Sequence, residues 1–264
     1  VIRALSSSAE FHPRPSEPAT LLIDSETVLC LTLTNKRQLD PEELDVLVSR
    51  LDPVELERFH RFRPEVKKQE FALGKALTRF ALSRATGRTT VPWVFTVDRR
   101  GKPGLGPPHS SLHFNLSHTK GLLAVAVTSG HPVGIDVETI EPRSEDIARR
   151  FFAPEEVSLL ESTPADRRVT LFTTLWTLKE AYMKAHGDGL SIPLESFHFE
   201  LGPPTSIRFR SASGGSPEGW QFFRTLLLPS HALALAVQHD RPIRFLQDRV
   251  ELRQLVEYWS RSAE

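Results

Sequence analysis

Two carboxylates one residue apart, Asp136 and Glu138 in Gly134-Ile135-Asp136-Val137-Glu138, form the first group able to do chemistry. In a β-strand, positions i and i+2 share a face, so both acids point one way while Ile135 and Val137 face a core. Two carboxylates on one strand face repel unless a cation lies between them, and hard oxygen ligands select Mg²⁺ or Mn²⁺. An isolated pair of this kind is more often an exposed polar strand face. The second group is Trp176-Thr177-Leu178-Lys179-Glu180-Ala181-Tyr182-Met183-Lys184. Trp176, Glu180 and Lys184 fall at i, i+4 and i+8 and form one helical stripe, which can set a metal-ligating acid beside a phosphate-neutralising ammonium. Seen alone, such a stripe is more often a weak surface ion pair. In the third group, Phe114-Asn115-Leu116-Ser117-His118-Thr119, neighbouring side chains diverge, so Ser117 and His118 are not a nucleophile and its base. Hydrogen bonding to a phosphate suits them better. A run of seven basic residues (Arg58, Arg61, Arg63, Lys67, Lys68, Lys75, Arg79) against Glu65 and Glu70 completes the set, either as a solvated helix face or as a site for a few phosphates. The chain has no G-x-S-x-G elbow and no P-loop sequence.

The elements that must position these groups can be read from periodicity. Leu44, Leu47, Val48 and Leu51 follow a helical period behind Asp40, Pro41 and Glu43, and Asp52-Pro53 repeats that start signal for a short helix to about Phe62. A longer helix is predicted from about Val66 to Arg84, with Gly87 beyond its end. Strands follow at 93–97 and 112–116, and the stretches 122–128 and 134–138, separated by Gly130-His131-Pro132, read as a strand pair. The order then recurs: a helix at about 166–186, a strand at 197–201, an exposed loop at 211–219, and strands at 221–228 and 232–238. Sliding the chain by about 110 residues lays Ala124-Val125-Ala126-Val127 over Ala234-Leu235-Ala236-Val237. This predicts an α+β fold of two related lobes, 20–132 and 133–264, behind a loosely held Ser/Pro-rich lead-in at 1–19.

Composition narrows the classes. The 33 basic and 33 acidic residues cancel among 264, which argues against bulk coating of nucleic acid or of an anionic membrane surface. The longest apolar runs, Leu122 to Val127 and Ala232 to Val237, have six residues each, too few for a membrane span. The single cysteine, Cys30, excludes an intrachain disulfide and fits a reducing compartment, so a cytoplasmic location is expected.

The two acidic segments, the approach Phe114 to His118, Gly101-Lys102-Pro103, Arg149-Arg150-Phe151-Phe152 before Glu155-Glu156, and Gly187-Asp188-Gly189-Leu190-Ser191 before Pro193 follow one another over roughly residues 55 to 195. In order and spacing they resemble the Sfp-type family of 4′-phosphopantetheinyl transferases. The resemblance implies two pseudo-twofold-related α/β lobes in a monomer, and transfer of the phosphopantetheine arm of coenzyme A to a serine of an apo acyl or peptidyl carrier protein, releasing 3′,5′-ADP. It implies Asp136, Glu138 and Glu180 as ligands of Mg²⁺ (or Mn²⁺), with Glu180, directly or through a metal-bound water, also the base for the serine hydroxyl and Lys184 stabilising the leaving group. His118 and Ser117 would contact phosphate, Lys102 and Pro103 would line the adenine, and Glu156 and Lys179 would lie near the pantetheine arm. Many members carry an arginine for the 3′-phosphate where this chain has Glu70, which leaves Lys67, Lys68, Lys75 and Arg79 as candidates for that contact. Two other readings of the same residues stand beside this one: a non-catalytic module that binds coenzyme A or a carrier protein, and a metal-dependent phosphohydrolase or nuclease.

Overall fold

The computed structural model describes residues 23–261 apart from 89–92, 144, 188–191, 204–205, 212–217 and 228. The lead-in at 1–19, the motif residues Asp188 to Ser191 and most of the 211–219 loop therefore lie outside the described residues. In chain order the elements are β1 (Thr27–Thr34), α1 (Pro41–Val48), α2 (Pro53–Arg61), α3 (Glu65–Thr86), β2 (Phe95–Val97), β3 (Pro103–Leu105), β4 (Leu112–Thr119) and β5 (Leu122–Ser129). They continue with β6 (Val133–Thr139), α4 (Glu145–Phe151), α5 (Pro154–Ser162), α6 (Ala165–His186), β7 (Phe197–Gly202), β8 (Ser206–Ser211), β9 (Trp220–Leu227), β10 (His231–Gln238), β11 (Arg244–Val250) and α7 (Leu252–Arg261). The class is α+β.

Local chemistry sets the ends of the helices. Asp52 Oδ1 accepts the Glu55 amide (2.8 Å) and Glu55 Oε2 accepts the Asp52 amide (3.2 Å), a capping box that starts α2 directly after Pro53 enters the helix. The two 22-residue helices, α3 and α6, both end at a glycine with positive φ, Gly87 (72°) and Gly187 (83°).

Two sheets carry the core, one ordered β11-β1-β5-β4 and the other β6-β10-β9. Alternation along the strands sorts side chains to two faces. Leu29, Leu31, Leu123, Val125 and Val127 pack under α3, whereas Val28, Cys30, Ala124 and Ala126 meet Ile135, Val137, Leu233 and Leu235 of the second sheet. On the far face of that sheet, Ala234 and Ala236 lie against Leu175, Leu178 and Ala181 of α6. The result is four layers, helix, sheet, sheet, helix. Among the described residues no helix is long and apolar enough to cross a membrane.

Two expectations need correction. The stretches 122–128 and 134–138 do not pair; β5 and β6 belong to different sheets and stack face to face. The 110-residue slide is also one residue out of register. Ala124 faces the second sheet but Ala234 faces α6, whereas β5 and β10 correspond end to end at a spacing of 109. Because strand faces alternate with period two, a slip of one residue exchanges the faces of every side chain. A feature the sequence did not announce is the return of β11, parallel to β1, and of α7, whose Leu255 and Trp259 join the core under α1 and α3.

Candidate active site

β4 and β6 are edge strands of different sheets, and side chains bridge them. Asn115 Oδ1 accepts the Ile135 amide (2.9 Å), Ser117 Oγ accepts the Val137 amide (3.3 Å), and Thr119 Oγ1 lies 3.1 Å from Thr139 Oγ1. Positions i, i+2 and i+4 of β4 thus do what ladder bonds would otherwise do.

On β6, Asp136 and Glu138 project toward α6, as the alternation predicts. The helix lies close because Gly134 has no side chain: a Cβ there would overlap the Ala181 carbonyl oxygen and the Ala185 amide nitrogen. From Phe172 to Ala185, Trp176, Glu180 and Lys184 are the positions that keep partial exposure, so the stripe read from the sequence is the face α6 leaves open. Lys184 Nζ donates to Asp136 Oδ1 (2.6 Å) and to Ser117 Oγ (3.1 Å), and Ser117 Oγ donates to Asp136 Oδ1 (2.9 Å). One residue from the first sheet and two from the second-sheet layer therefore share one network.

The acids differ in what they keep free. Asp136 Oδ2 is buried with no hydrogen-bond partner. Glu180 makes no hydrogen bond or ion pair among the described residues, and burial first, then the charge of Asp136, push its carboxyl up. Glu138 is pushed up by the same two causes, partly offset by Arg143, whose Nη2 lies 2.7 Å from Glu138 Oε2. That guanidinium also rests 5.7 Å from the centre of the Trp176 ring. No three metal-ligating side chains among the described residues converge on a ready-made cage. The orphaned Asp136 oxygen and the unpaired Glu180 nevertheless match Mg²⁺, which takes one or two protein carboxylates and fills its shell with water and substrate phosphate.

The remaining candidates separate. His118 is exposed, with Nε2 3.9 Å from Glu70 Oε2; Glu70 is held by Lys67 (2.7 Å), and Lys68 pairs with Glu65 (2.6 Å). Lys75 and Arg79 both turn to buried Glu55, at 3.0 and 2.7 Å, and the Arg79 guanidinium lies over the Phe95 ring. With its side chain 10% exposed, Arg79 is part of the interior. Lys102 Nζ donates to the carbonyls of Lys184 (2.6 Å) and Ala185 (3.0 Å), capping the end of α6 from the β2–β3 connection, while Pro103 stays exposed. Glu156 and Lys179 form a 2.7 Å pair at 1% and 0% exposure. Lys179 Nζ also donates to the Leu194 and Phe197 carbonyls, and Glu156 Oε1 accepts the Phe199 amide. In the structure the two residues thus act as an internal clamp. Ser117 is likewise buried, its hydroxyl spent on the network.

Sequence reasoning missed Arg143, which belongs to no motif; its one signal is a basic residue five positions after Glu138. Asn115 carries no signal in the sequence beyond its place on a strand.

Residues 132–237 match the family model of the 4′-phosphopantetheinyl transferase superfamily. A 4′-phosphopantetheinyl transferase of Bacillus subtilis is 34% identical over 181 residues, covering 69% of this chain and 80% of that protein. The 4′-phosphopantetheinyl transferase HetI of Nostoc sp. is 36% identical over 178 residues, 66% of this chain and 75% of its own. Among solved structures, the holo-[acyl-carrier-protein] synthase of Thermotoga maritima overlaps 42% of this chain and 64% of its own, at 25% identity and a TM-score of 0.34.

Proposed function

The chain belongs to the Sfp-type 4′-phosphopantetheinyl transferases, enzymes that transfer phosphopantetheine to carrier proteins, and from that membership we propose a Mg²⁺-dependent transfer from coenzyme A to a carrier serine, with 3′,5′-ADP leaving. The observation that carries the metal is the buried, partnerless Asp136 Oδ2 beside the unpaired Glu180. Asp136 and Glu180 would hold Mg²⁺, with Glu138 able to join them. When bound, the ion supplies a Lewis acid that offsets the charge of the diphosphate. Lys184, tied to Asp136 and partly open to solvent, neutralises charge on the departing 3′,5′-ADP. Glu180, its carboxyl pushed up by burial, takes the proton of the incoming serine hydroxyl. Ser117 orients Asp136 from within, and exposed His118, with Lys67 beside it, meets phosphate at the rim.

We read the repeated element order as two pseudo-twofold-related lobes, 20–132 and 133–264, with β11 and α7 lent back to the first, working as a cytoplasmic monomer. An intrinsic transferase leaves little room for a non-catalytic binding module. The test is to incubate the protein with coenzyme A, Mg²⁺ and several apo carrier proteins and to weigh each carrier intact. A phosphopantetheine adduct that disappears without Mg²⁺ and in Asp136→Ala is expected; unmodified carriers throughout, or full activity in Asp136→Ala, would overturn the reading.

A further inference from the structure

We propose that Arg143 is an exchangeable counter-ion of Glu138: it occupies that carboxylate in the metal-free protein and gives way when a divalent cation binds, so that Glu138 turns to the metal only in the loaded site. The proposal rests on the metal-dependent reading above.

The two cations of the site are held differently. Lys184 extends from α6, and its partner Asp136 Oδ1 is fixed a second time by the buried Ser117 hydroxyl. Arg143 instead sits between β6 and α4, outside either element; its side chain is no more open than that of Lys184 (22% against 29%), but its partner Glu138 is 24% exposed where Asp136 is 5%, and among the described residues Glu138 has no second hydrogen bond to fix it. Partly solvated pairs of this kind contribute little and exchange readily. Three carboxylates (Asp136, Glu138, Glu180) face two cations (Lys184, Arg143), which leaves one uncompensated negative charge near the orphaned Asp136 oxygen. A dication entering there is drawn by all three acids and repels both nearby cations, and the guanidinium is the one free to move.

There is a place for it to go. Arg143 forms part of the wall of a groove of about 400 Å³ between α4, α5 and the start of α6, with Leu160 and Phe172 as apolar lining, Glu141 and Glu161 as acids, and Arg149 and Arg168 as further cations, of which Arg149 already pairs with Glu161. Leaving Glu138 would also lift the guanidinium from Trp176, which gives the exchange a spectroscopic signature.

The experiment is Mn²⁺ binding followed by electron paramagnetic resonance, without coenzyme A or carrier, on wild type, Arg143→Gln, Arg143→Lys, Glu138→Gln and the Arg143→Gln/Glu138→Gln double variant. Arg143→Gln should bind Mn²⁺ about threefold more tightly than wild type. Arg143→Lys should fall between them, and the gain should vanish when Glu138 is also Gln. Titrating Mg²⁺ should change the Trp176 emission, obtained as the difference from Trp176→Phe, in wild type but not in Arg143→Gln. Unchanged or weaker Mn²⁺ binding in Arg143→Gln, or an equal gain without Glu138, overturns the exchange while leaving the metal site standing. Absence of Mn²⁺ binding in every variant overturns the metal site itself.

Discussion

Gly134 lies so close beneath Ala181 that a single methyl group at Gly134 would overlap the Ala181 carbonyl oxygen and come within 3.0 Å of the Lys184 carbonyl carbon. This contact fixes the height of α6 above β6, and with it the reach of Glu180 and Lys184 toward Asp136. Both obstructing groups are backbone, so the clash cannot be relieved by a rotamer change. Gly134→Ala should cost about 1–3 kcal/mol of stability through overpacking. Transferase activity should fall by far more than the unfolded fraction accounts for. Thermal melts beside initial rates check this; wild-type activity in Gly134→Ala would mean that the helix height is unimportant.

What the sequence disclosed and what it hid divide along physical lines. The two acids on β6 and the 176/180/184 stripe were legible because face and stripe follow from periods of two and 3.6 residues, which are local. Sheet membership was not legible: β5 and β6 are joined by a three-residue turn, yet they stack across the core because β6 pairs with β10, about a hundred residues later. A longer separation, from Thr27 to its partner Arg244, concealed β11 beside β1. The pairing of Lys179 with Glu156 was not legible either, because only tertiary packing brings the two motifs together. Arg143 reaches Glu138 from a loop, where no periodicity marks it.

The Lys179–Glu156 pair makes its own prediction. Burial presses the Lys179 ammonium down and the Glu156 carboxyl up, and the pair survives because the backbone groups of Leu194, Phe197, Phe199 and Ala153 satisfy the remaining donors and acceptors. Lys179→Met strands a buried carboxylate and should destabilise the fold by about 3–5 kcal/mol. Adding Glu156→Leu should recover part of that loss. Urea unfolding of the single and double variants measures both, and a cost below 1 kcal/mol for Lys179→Met, by the same scale, would show that the pair is dispensable.

Ser117 separates two roles by their kinetics. If its hydroxyl holds Asp136 and the Val137 amide, Ser117→Ala leaves both with an unmet hydrogen bond and should cost about 1–3 kcal/mol of stability. It should also weaken divalent-cation binding and lower kcat. A residue that only touched substrate phosphate would instead raise KM for coenzyme A with unchanged melting temperature and metal affinity. The second pattern would remove Ser117 from the positioning network.

Glu180 links the site to pH. Burial, then the charge of Asp136, raises its carboxyl above the usual glutamate range, with Lys184 pulling the other way. In the unfolded chain the same group titrates at its ordinary value. Between the two values the folded protein therefore holds more protons than the unfolded one, so this residue's contribution is complete at low pH and is lost as pH rises through the folded value. Acids held low by their partners, such as Asp24 and Glu43, slope the opposite way, so the informative quantity is the difference between wild type and Glu180→Gln. In chelator, Glu180→Gln should melt at a higher temperature than wild type at pH 7.5, and this advantage should shrink steadily as the pH is lowered toward 4.5. Adding Mg²⁺ at pH 7.5 should raise the wild-type melting temperature and close the gap, because the cation takes over the charge that burial penalises, while Glu180→Gln should respond weakly. A Glu180→Gln variant less stable than wild type at pH 7.5, or a gap that does not change with pH, would mean that Glu180 already has its counter-charge and is not waiting for a metal.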